Sequence, residues 1–138
     1  MIFIDTSFFV ALLSPRDAHH KSAREAFDAF KGRRLVDLFL TTNNVILETI
    51  TVAGRQGGNR LAVEVGQMLY AEKLARLYRT TPEDERAALA YLEQHQDKRY
   101  SAVDCLSFVV MLQHDIHEVF AFDRRDFSHR FAVLPPPE

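Results

Sequence analysis

Residues 1–7 read Met-Ile-Phe-Ile-Asp-Thr-Ser, a short apolar run that is followed at once by a carboxylate and two hydroxyls. The next stretch, residues 8–13, is entirely apolar and long enough for the buried face of one helix. This order predicts a strand, a tight turn and a helix. In an open α/β sheet, such a strand lies in the middle, and ligands bind beyond the carboxyl ends of the strands. We therefore expect Asp5 to lie at the edge where a functional site forms.

The composition limits the class of protein. A length of 138 residues, 47% of them hydrophobic, is enough for a full core, and we expect one domain over residues 1–138. The net charge of −2 argues against holding polyanions by bulk charge, so any contact with nucleic acid has to be local. The single Cys105 excludes an internal disulfide and a cysteine-based metal site. Because the sequence shows neither a signal-peptide pattern nor a membrane-spanning apolar run, we expect a cytoplasmic, soluble protein.

Strand and helix patterns alternate along the chain. The expected strands are residues 1–4, 35–40, 74–78, 119–122 and 131–134. The helices expected between them are residues 8–13, 19–30, 41–55, 60–73, 82–95 and a last one from residue 101. A Gln-Gly-Gly-Asn segment at 56–59 is expected to break the chain between two of these helices. Strands separated by helices predict an α/β fold with three layers, in which a mainly parallel sheet of four to five strands lies between helices.

Four carboxylates fall at positions that such a fold brings to one edge of the sheet, namely Asp5, Glu48, Asp104 and Asp123. Three of them also have an ordinary structural interpretation. Asp5 is placed to cap the first helix, Ser101 and Asp104 match a capping box, and Asp123 suits a turn. Glu48 has mostly apolar neighbours, so we expect a half-buried carboxylate that needs partners.

Carboxylates that converge without matching Lys or Arg raise one another's pKa, and a divalent cation is the usual remedy. A set of oxygen ligands suits Mg²⁺ or Mn²⁺ better than zinc. Such ions activate water and stabilise the charge that develops in phosphoryl transfer. The four acids together therefore predict a metal-dependent site for phosphoryl-transfer chemistry.

Four segments of the chain resemble the PIN domain, and specifically the VapC-type toxin ribonucleases of bacterial toxin–antitoxin pairs. The segments are Ile-Asp-Thr-Ser at 4–7, Thr-Thr-Asn-Asn-Val-Ile-Leu-Glu-Thr at 41–49, Ser-Ala-Val-Asp-Cys-Leu-Ser-Phe at 101–108 and Phe-Ala-Phe-Asp-Arg-Arg-Asp-Phe at 120–127. Each segment is weakly specific by itself. Their order and spacing, over almost the whole chain, make the resemblance specific.

The resemblance implies a three-layer PIN-like fold and a Mg²⁺- or Mn²⁺-dependent endoribonuclease that acts as a toxin. It implies that the catalytic residues are Asp5, Glu48, Asp104 and Asp123, and that the metal ligands are Asp5, Asp104 and Asp123. It assigns a supporting role beside the metal to Thr6, Ser101 and Asp126. It also implies a homodimer, and a cognate antitoxin whose C-terminal segment covers the active site.

Two pairs of basic residues flank the predicted acidic site, Lys98 with Arg99 and Arg124 with Arg125. We expect them to hold phosphates of the RNA, although a solvated surface is the ordinary interpretation of such pairs. The six histidines show no i, i+4 pairing beside a carboxylate, so we expect them to be structural or surface residues.

Competing interpretations need residues that this sequence lacks. A response-regulator receiver needs an acidic pair before the first helix and a Lys near the last strands. A haloacid-dehalogenase-type phosphatase needs a second Asp two residues after the first, and that position is Ser7. The remaining alternative is a non-catalytic module of the same fold that binds RNA or a protein partner. The set of four acids argues against it, and a cleavage assay separates binding from catalysis.

Overall fold

A computed structural model describes residues 1–137 and shows one five-stranded sheet in which all pairs are parallel, in the order β3-β2-β1-β4-β5. The strands are β1 (Ile2–Ile4), β2 (Phe39–Thr42), β3 (Arg76–Tyr78), β4 (Glu118–Phe120) and β5 (Ala132–Leu134). The first strand is central, as predicted, and its Phe3 and Ile4 are fully buried. A strand covered on both faces needs such an apolar run.

Six helices cover the sheet. They are α1 (Thr6–Leu13), α2 (His20–Asp28), α3 (Asn43–Tyr70), α4 (Pro82–Gln94), α5 (Ala102–Gln113) and α6 (Arg124–Phe127). The chain steps from β1 to β3 in one direction along the sheet, then crosses over to β4 and β5 in the other. Because parallel crossovers are right-handed, α1 to α3 lie on one face and α4 to α6 on the opposite face. The predicted three-layer arrangement is confirmed.

Aromatic side chains fill both interfaces between sheet and helices. One cluster joins Phe8, Phe27, Phe30, Phe39 and Phe120. The other joins Tyr91, Tyr100, Phe108, Phe127 and Phe131. Fully burying one such ring stabilises the fold by about 1.5–3 kcal/mol, so these clusters account for much of the core.

The structure corrects two of the predicted elements. Leu35–Asp37 is a single 3-10 turn, and pairing in the second strand begins only at Phe39, opposite Ile2. The charged stretch after Phe122 folds into the short helix α6. In both cases the local pattern was too short to distinguish a strand, a turn and a helix.

The predicted break at residues 56–59 is confirmed. Gly58 leaves helical geometry, with φ 84° and ψ 176°, and divides α3 into two helices across a kink. Glycine adopts this positive φ without strain.

The carboxyl ends of the parallel strands meet at one edge of the sheet, where the connections diverge between β1 and β4. This is the topological switch point at which open α/β sheets bind ligands. Asp5 follows β1, and its backbone N–H donates to Phe120 O of β4 at 3.0 Å. Among residues 1–137, no helix is both long enough and apolar enough to cross a membrane.

Candidate active site

Asp5 caps α1 and faces the switch point. Its Oδ2 accepts hydrogen bonds from the backbone N–H and the hydroxyl of Ser7, at 3.2 and 2.9 Å. The same Ser7 hydroxyl accepts the N–H of Phe122 at 2.9 Å, which joins the turn after β1 to the end of β4. The expected capping role is therefore confirmed. Burial raises the pKa of Asp5 to about 7; the Ser7 hydrogen bonds oppose this rise, and the charge of Asp104 adds to it.

Asp104 occupies the third position of α5 and closes a capping box with Ser101. Ser101 Oγ accepts the N–H of Asp104 and the Asp104 carboxylate accepts the N–H of Ser101, both at 3.0 Å. Burial raises the pKa of four other carboxyl groups, and the charge of Asp104 adds to the rise in each. The four are Asp5, Glu48, Asp123 and Asp126. Asp104 is thus the electrostatic centre of the acidic site.

Glu48 lies in the second turn of α3, and the expectation of a partly buried carboxylate is confirmed. Val45, Ile46 and Thr49 occupy the buried face of this helix, so Glu48 lies outside the core and much of its surface is exposed. Its carboxyl group is nevertheless partly shielded from solvent, in a cavity that it shares with Thr6 and Asp123. Partial loss of hydration still raises the pKa of its carboxyl, and the charges of neighbouring carboxylates add to the rise. The Thr6 hydroxyl faces Glu48 and lowers this pKa, although the pair does not meet hydrogen-bond geometry and Thr6 Oγ1 is buried without a partner.

Asp123 and Asp126 follow β4 in the chain, and the charge of Asp104 acts on both of their carboxyl groups. Asp123 directly precedes α6 and Asp126 lies within it. Burial first and the charge of Asp104 second raise the pKa of both carboxyls, while His19 lowers that of Asp123 and Arg125 lowers that of Asp126. Asp126 therefore shares the environment of the four acids predicted to be catalytic.

The donor set fits a divalent cation in its chemistry. Among residues 1–137, none of the five carboxylates forms an ion pair with Lys or Arg, so their mutual repulsion is offset only in part, by the more distant charges of His19 and Arg125. Carboxylate and hydroxyl oxygens are the ligands that Mg²⁺ and Mn²⁺ prefer. Within that same part of the chain, no three acidic, His or Cys side chains stand close enough together to enclose an ion. The site therefore offers the right ligands without a closed cage.

A basic cleft opens on one side of the acidic site. This cavity of about 940 Å³ is bordered by both dibasic pairs, Lys98–Arg99 and Arg124–Arg125, together with Asp123 and Asp126. One guanidinium nitrogen of Arg124 donates to Val133 O at 3.2 Å, which fixes that side chain against β5. The four basic residues are thus next to the acids, and their binding of RNA phosphates stays a prediction.

A smaller cavity of about 270 Å³ opens on the other side. Its walls include Thr6, Glu48 and Asp123 of the acidic site, and also His19 and Gln56. Sequence reasoning missed these last two residues. The signal for His19 is its ring, which stacks on Phe122 at a centroid distance of 4.4 Å. This contact joins residues far apart in the chain, so no local pattern predicts it.

Comparisons with known proteins agree with this fold. The family model described as "PIN domain" matches residues 2–131. The chain is 35% identical, over 138 residues and the full length of both proteins, to the "23S rRNA-specific endonuclease VapC20" of two Mycobacterium tuberculosis strains, CDC 1551 / Oshkosh and ATCC 25618 / H37Rv.

A solved structure has the same architecture. It is the crystal structure of Mycobacterium tuberculosis VapC20, described as a "Sarcin-Ricin loop cleaving toxin". It superposes with a TM-score of 0.85 at 32% identity, over 96% of this chain and 97% of that one. With the family match over residues 2–131 and an end-to-end relative above 30% identity, the chain belongs to the PIN domain family.

Proposed function

We propose that this protein is a divalent-metal-dependent endoribonuclease that acts as the toxin of a toxin–antitoxin pair. The observation that carries the proposal is the convergence of four carboxylates on Asp104 at the switch point of the sheet, with no ion pair to Lys or Arg among residues 1–137. The relative VapC20, which matches the chain from end to end, is named as an endonuclease and as a toxin.

We propose the sarcin–ricin loop of 23S ribosomal RNA as the substrate. The names of the relative and of its crystal structure support this choice. The basic cleft supports it physically, because the chain has a net charge of −2 and needs a local positive surface to hold RNA. A folded RNA loop also presents unpaired bases, which proteins recognise more readily than the bases of an RNA duplex.

Asp5, Asp104 and Asp123 would hold Mg²⁺ or Mn²⁺. When bound, the ion supplies positive charge next to the reacting phosphate and eases deprotonation of water. Glu48, whose raised pKa makes it a better proton acceptor than an ordinary Glu, takes the proton of the attacking water. The water oxygen bonds to phosphorus as the P–O bond to the leaving sugar oxygen breaks, and that oxygen takes a proton from solvent. The dibasic pairs hold the flanking phosphates.

Thr6 and Ser101 support this site in different ways. The buried Thr6 hydroxyl faces Glu48 and has no other partner, so it is free to hydrogen-bond the carboxylate or the water. Ser101 orients Asp104 through the capping box. Asp126, in the same field, helps to keep the site negatively charged.

The test is cleavage of an RNA hairpin that carries the sarcin–ricin loop, compared with a hairpin of the same stem and a scrambled loop. Purified protein and its Asp104→Asn variant are assayed with Mg²⁺, with Mn²⁺ and with EDTA. We expect one cut in the native loop that needs metal and is lost in the variant. Metal-independent cutting, or equal cutting by the variant, contradicts the assignment.

The alternative is a module that binds RNA without cutting it. The absence of a closed three-ligand group among residues 1–137 is the observation that favours it. Binding of the hairpin by metal-loaded protein without any cleavage would support this alternative over the nuclease.

The same proposal includes two protein partners, a second copy of the chain and an antitoxin. Light scattering after gel filtration tests the first: we expect twice the 15.9 kDa mass of one chain. Co-purification with the product of an adjacent small reading frame tests the second, and cleavage should stop when that product is added. A monomeric mass, or undiminished cleavage, contradicts the respective partner.

A further inference from the structure

Four nearly parallel rings lead from the core to the surface beside the acidic site. Phe120 stacks on Phe8 at 4.4 Å and 12°, Phe8 on Phe122 at 5.7 Å and 5°, and Phe122 on His19 at 4.4 Å and 6°. Phe120 and Phe8 are buried, Phe122 is partly buried, and His19 is exposed. The stack therefore places a flat, supported imidazole ring at the protein surface.

The position of His19 is held by its neighbours. Its backbone N–H donates to Asp17 Oδ1 at 2.9 Å, in the turn before α2. The amide of Gln56, on α3, reaches Asp17 Oδ2 at 3.4 Å and links this turn to the helix that carries Glu48. Only the NH₂ group of Gln56 can donate to a carboxylate, so this contact also fixes the orientation of the amide.

His19 borders the small cavity that also contains Thr6, Glu48 and Asp123. At about 270 Å³, it lies just below the range of roughly 300–1,000 Å³ of ordinary ligand pockets, so it suits a single nucleotide better than a duplex. The basic cleft lies beyond Phe122, which borders both cavities. An RNA strand that crosses the acidic site from the basic cleft would place its next nucleotide beside His19.

We propose that His19 is a stacking platform for one unpaired base of the RNA, beside the acidic site. The inference rests on the proposed function only in taking RNA as the ligand. Proteins that hold single-stranded RNA stack bases on aromatic faces, and such a contact extends the ring stack by one member. It tolerates different bases, because every base has a π face.

The test is binding of a fluorescein-labelled sarcin–ricin hairpin, followed by anisotropy in Mg²⁺. All proteins carry Asp104→Asn so that the RNA stays intact. His19→Phe keeps a flat ring without the charge, and we expect its Kd to stay within about twofold of the parent. His19→Ala and His19→Lys remove the ring, and we expect their Kd to rise by about 5- to 100-fold. His117→Ala is the matched control, because that exposed histidine precedes β4 at the opposite edge of the sheet.

The variants His19→Phe and His19→Lys separate the effect of stacking from the effect of charge. Loss of binding in His19→Phe with retention in His19→Lys would identify a phosphate contact and overturn the proposal. Equal binding by His19→Ala would show that no base contacts this ring. Thermal melting of each variant is measured alongside; if the alanine variant is unfolded, the comparison of Phe with Lys decides.

A second measurement locates the base. 2-Aminopurine is placed at one loop position of the hairpin at a time, and we expect its fluorescence to be quenched at one position by the parent and by His19→Phe, but not by His19→Ala. Quenching that is independent of residue 19 overturns the proposal. Proteins with Asp104 restored are assayed for cleavage of the same hairpin. If the restored protein never cleaves it although binding depends on His19, the nuclease is refuted and the platform stands. If His19→Ala with Asp104 restored cleaves with unchanged KM, the platform alone is refuted, and if no protein binds the RNA, both are refuted.

Discussion

The helices α4 and α5 begin with the same capping box in two different electrostatic environments. In α4, Thr81 Oγ1 accepts the N–H of Asp84 at 3.2 Å, and Asp84 accepts the N–H of Thr81 at 2.9 Å. In α5, Ser101 and Asp104 make the same two bonds at 3.0 Å each. The two boxes satisfy the same helix-terminal N–H groups, so local chemistry alone does not distinguish them.

Their surroundings differ in what they offer the carboxylate. Asp84 is only 3% exposed and also accepts the hydroxyl of Tyr78 at 2.7 Å. Burial tends to raise the pKa of Asp84, but the hydrogen bonds that it accepts outweigh this, so its pKa lies below the ordinary value. Asp104 instead faces other carboxylates and raises the pKa of each.

A capping box therefore becomes part of a candidate active site only where other carboxylates lie close to its acidic residue. Tyr78 lies against His114, at the C-terminal end of α5, whereas Asp104 lies at the N-terminal end of that helix, beside the ends of β1 and β4. Asp84 gains donors and stabilises the fold, while Asp104 gains like charges that a cation would relieve.

The largest expected difference between the boxes is in catalysis. Asp104→Asn keeps the acceptor for the Ser101 N–H but removes a proposed metal ligand, and the loss of several kcal/mol of transition-state stabilisation predicts a drop in cleavage of about a thousandfold or more. Asp84→Asn should cleave within about threefold of the parent at a temperature where it is folded, since a threefold change is under 1 kcal/mol. Initial rates on the sarcin–ricin hairpin measure both. Equal losses in the two variants would mean that Asp104 acts only through the fold.

The second difference is in the sign of the pH dependence. The pKa of Asp5 is raised from 3.8 to about 7, so the fold favours the protonated carboxyl. The stability that this provides is complete below pH 4 and is lost as the pH rises through 7 and Asp5 ionises. Asn is as good an N-cap as Asp, so Asp5→Asn should raise the free energy of unfolding in EDTA by about 2–4 kcal/mol at pH 8 and change it little at pH 4. Urea unfolding at the two pH values tests this. If Asp5→Asn is instead less stable than the parent at pH 8, the ionised Asp5 carboxylate does not destabilise the fold.

Most elements follow from local signals that the structure confirms. The apolar run before Asp5 forms the central strand, Pro82 starts α4, and Ser101 caps α5. These signals are strong because each depends on the backbone geometry of one segment. The break at Gly58 in α3 also follows from a local signal, the Gly-Gly pair. Packing decided the rest, since pairing with Ile2 sets the start of β2.

The candidate site was predictable where it depends on topology and not where it depends on contacts. Carboxylates that follow parallel strands meet at one edge, which accounts for Asp5 and Asp123. The apolar neighbours of Glu48 correctly indicated a partly buried carboxyl, but its place outside the core depends on which face of α3 packs against α1. The place of His19 depends on stacking against Phe122, which only the folded chain shows.

The third difference is the stability that each carboxylate provides near neutral pH. Asp84 has a lowered pKa, so its contribution is present above the ordinary value of 3.8 and is lost as the pH falls through the folded pKa. Asp84→Asn should therefore lower the free energy of unfolding by about 2 kcal/mol at pH 7, and by less at pH 3, because it weakens buried charge-assisted hydrogen bonds. In Asp104→Asn, relief of repulsion offsets the weaker cap. Thermal melts of both variants in EDTA provide the measurement, and a larger loss in Asp104→Asn would reverse the comparison.

The smallest difference separates the two capping hydroxyls. Thr81→Ala and Ser101→Ala each remove one acceptor for a helix-terminal N–H, so both should lose about 1 kcal/mol of stability in urea unfolding. Their effects on cleavage should diverge, because Ser101 also orients the carboxylate that we propose as a metal ligand, and supporting residues of this kind cost about 10- to 100-fold. Thr81→Ala should cleave like the parent. If both variants lose stability equally and neither loses cleavage, Ser101 is only a helix cap, and the two boxes differ solely in the carboxylates that they hold.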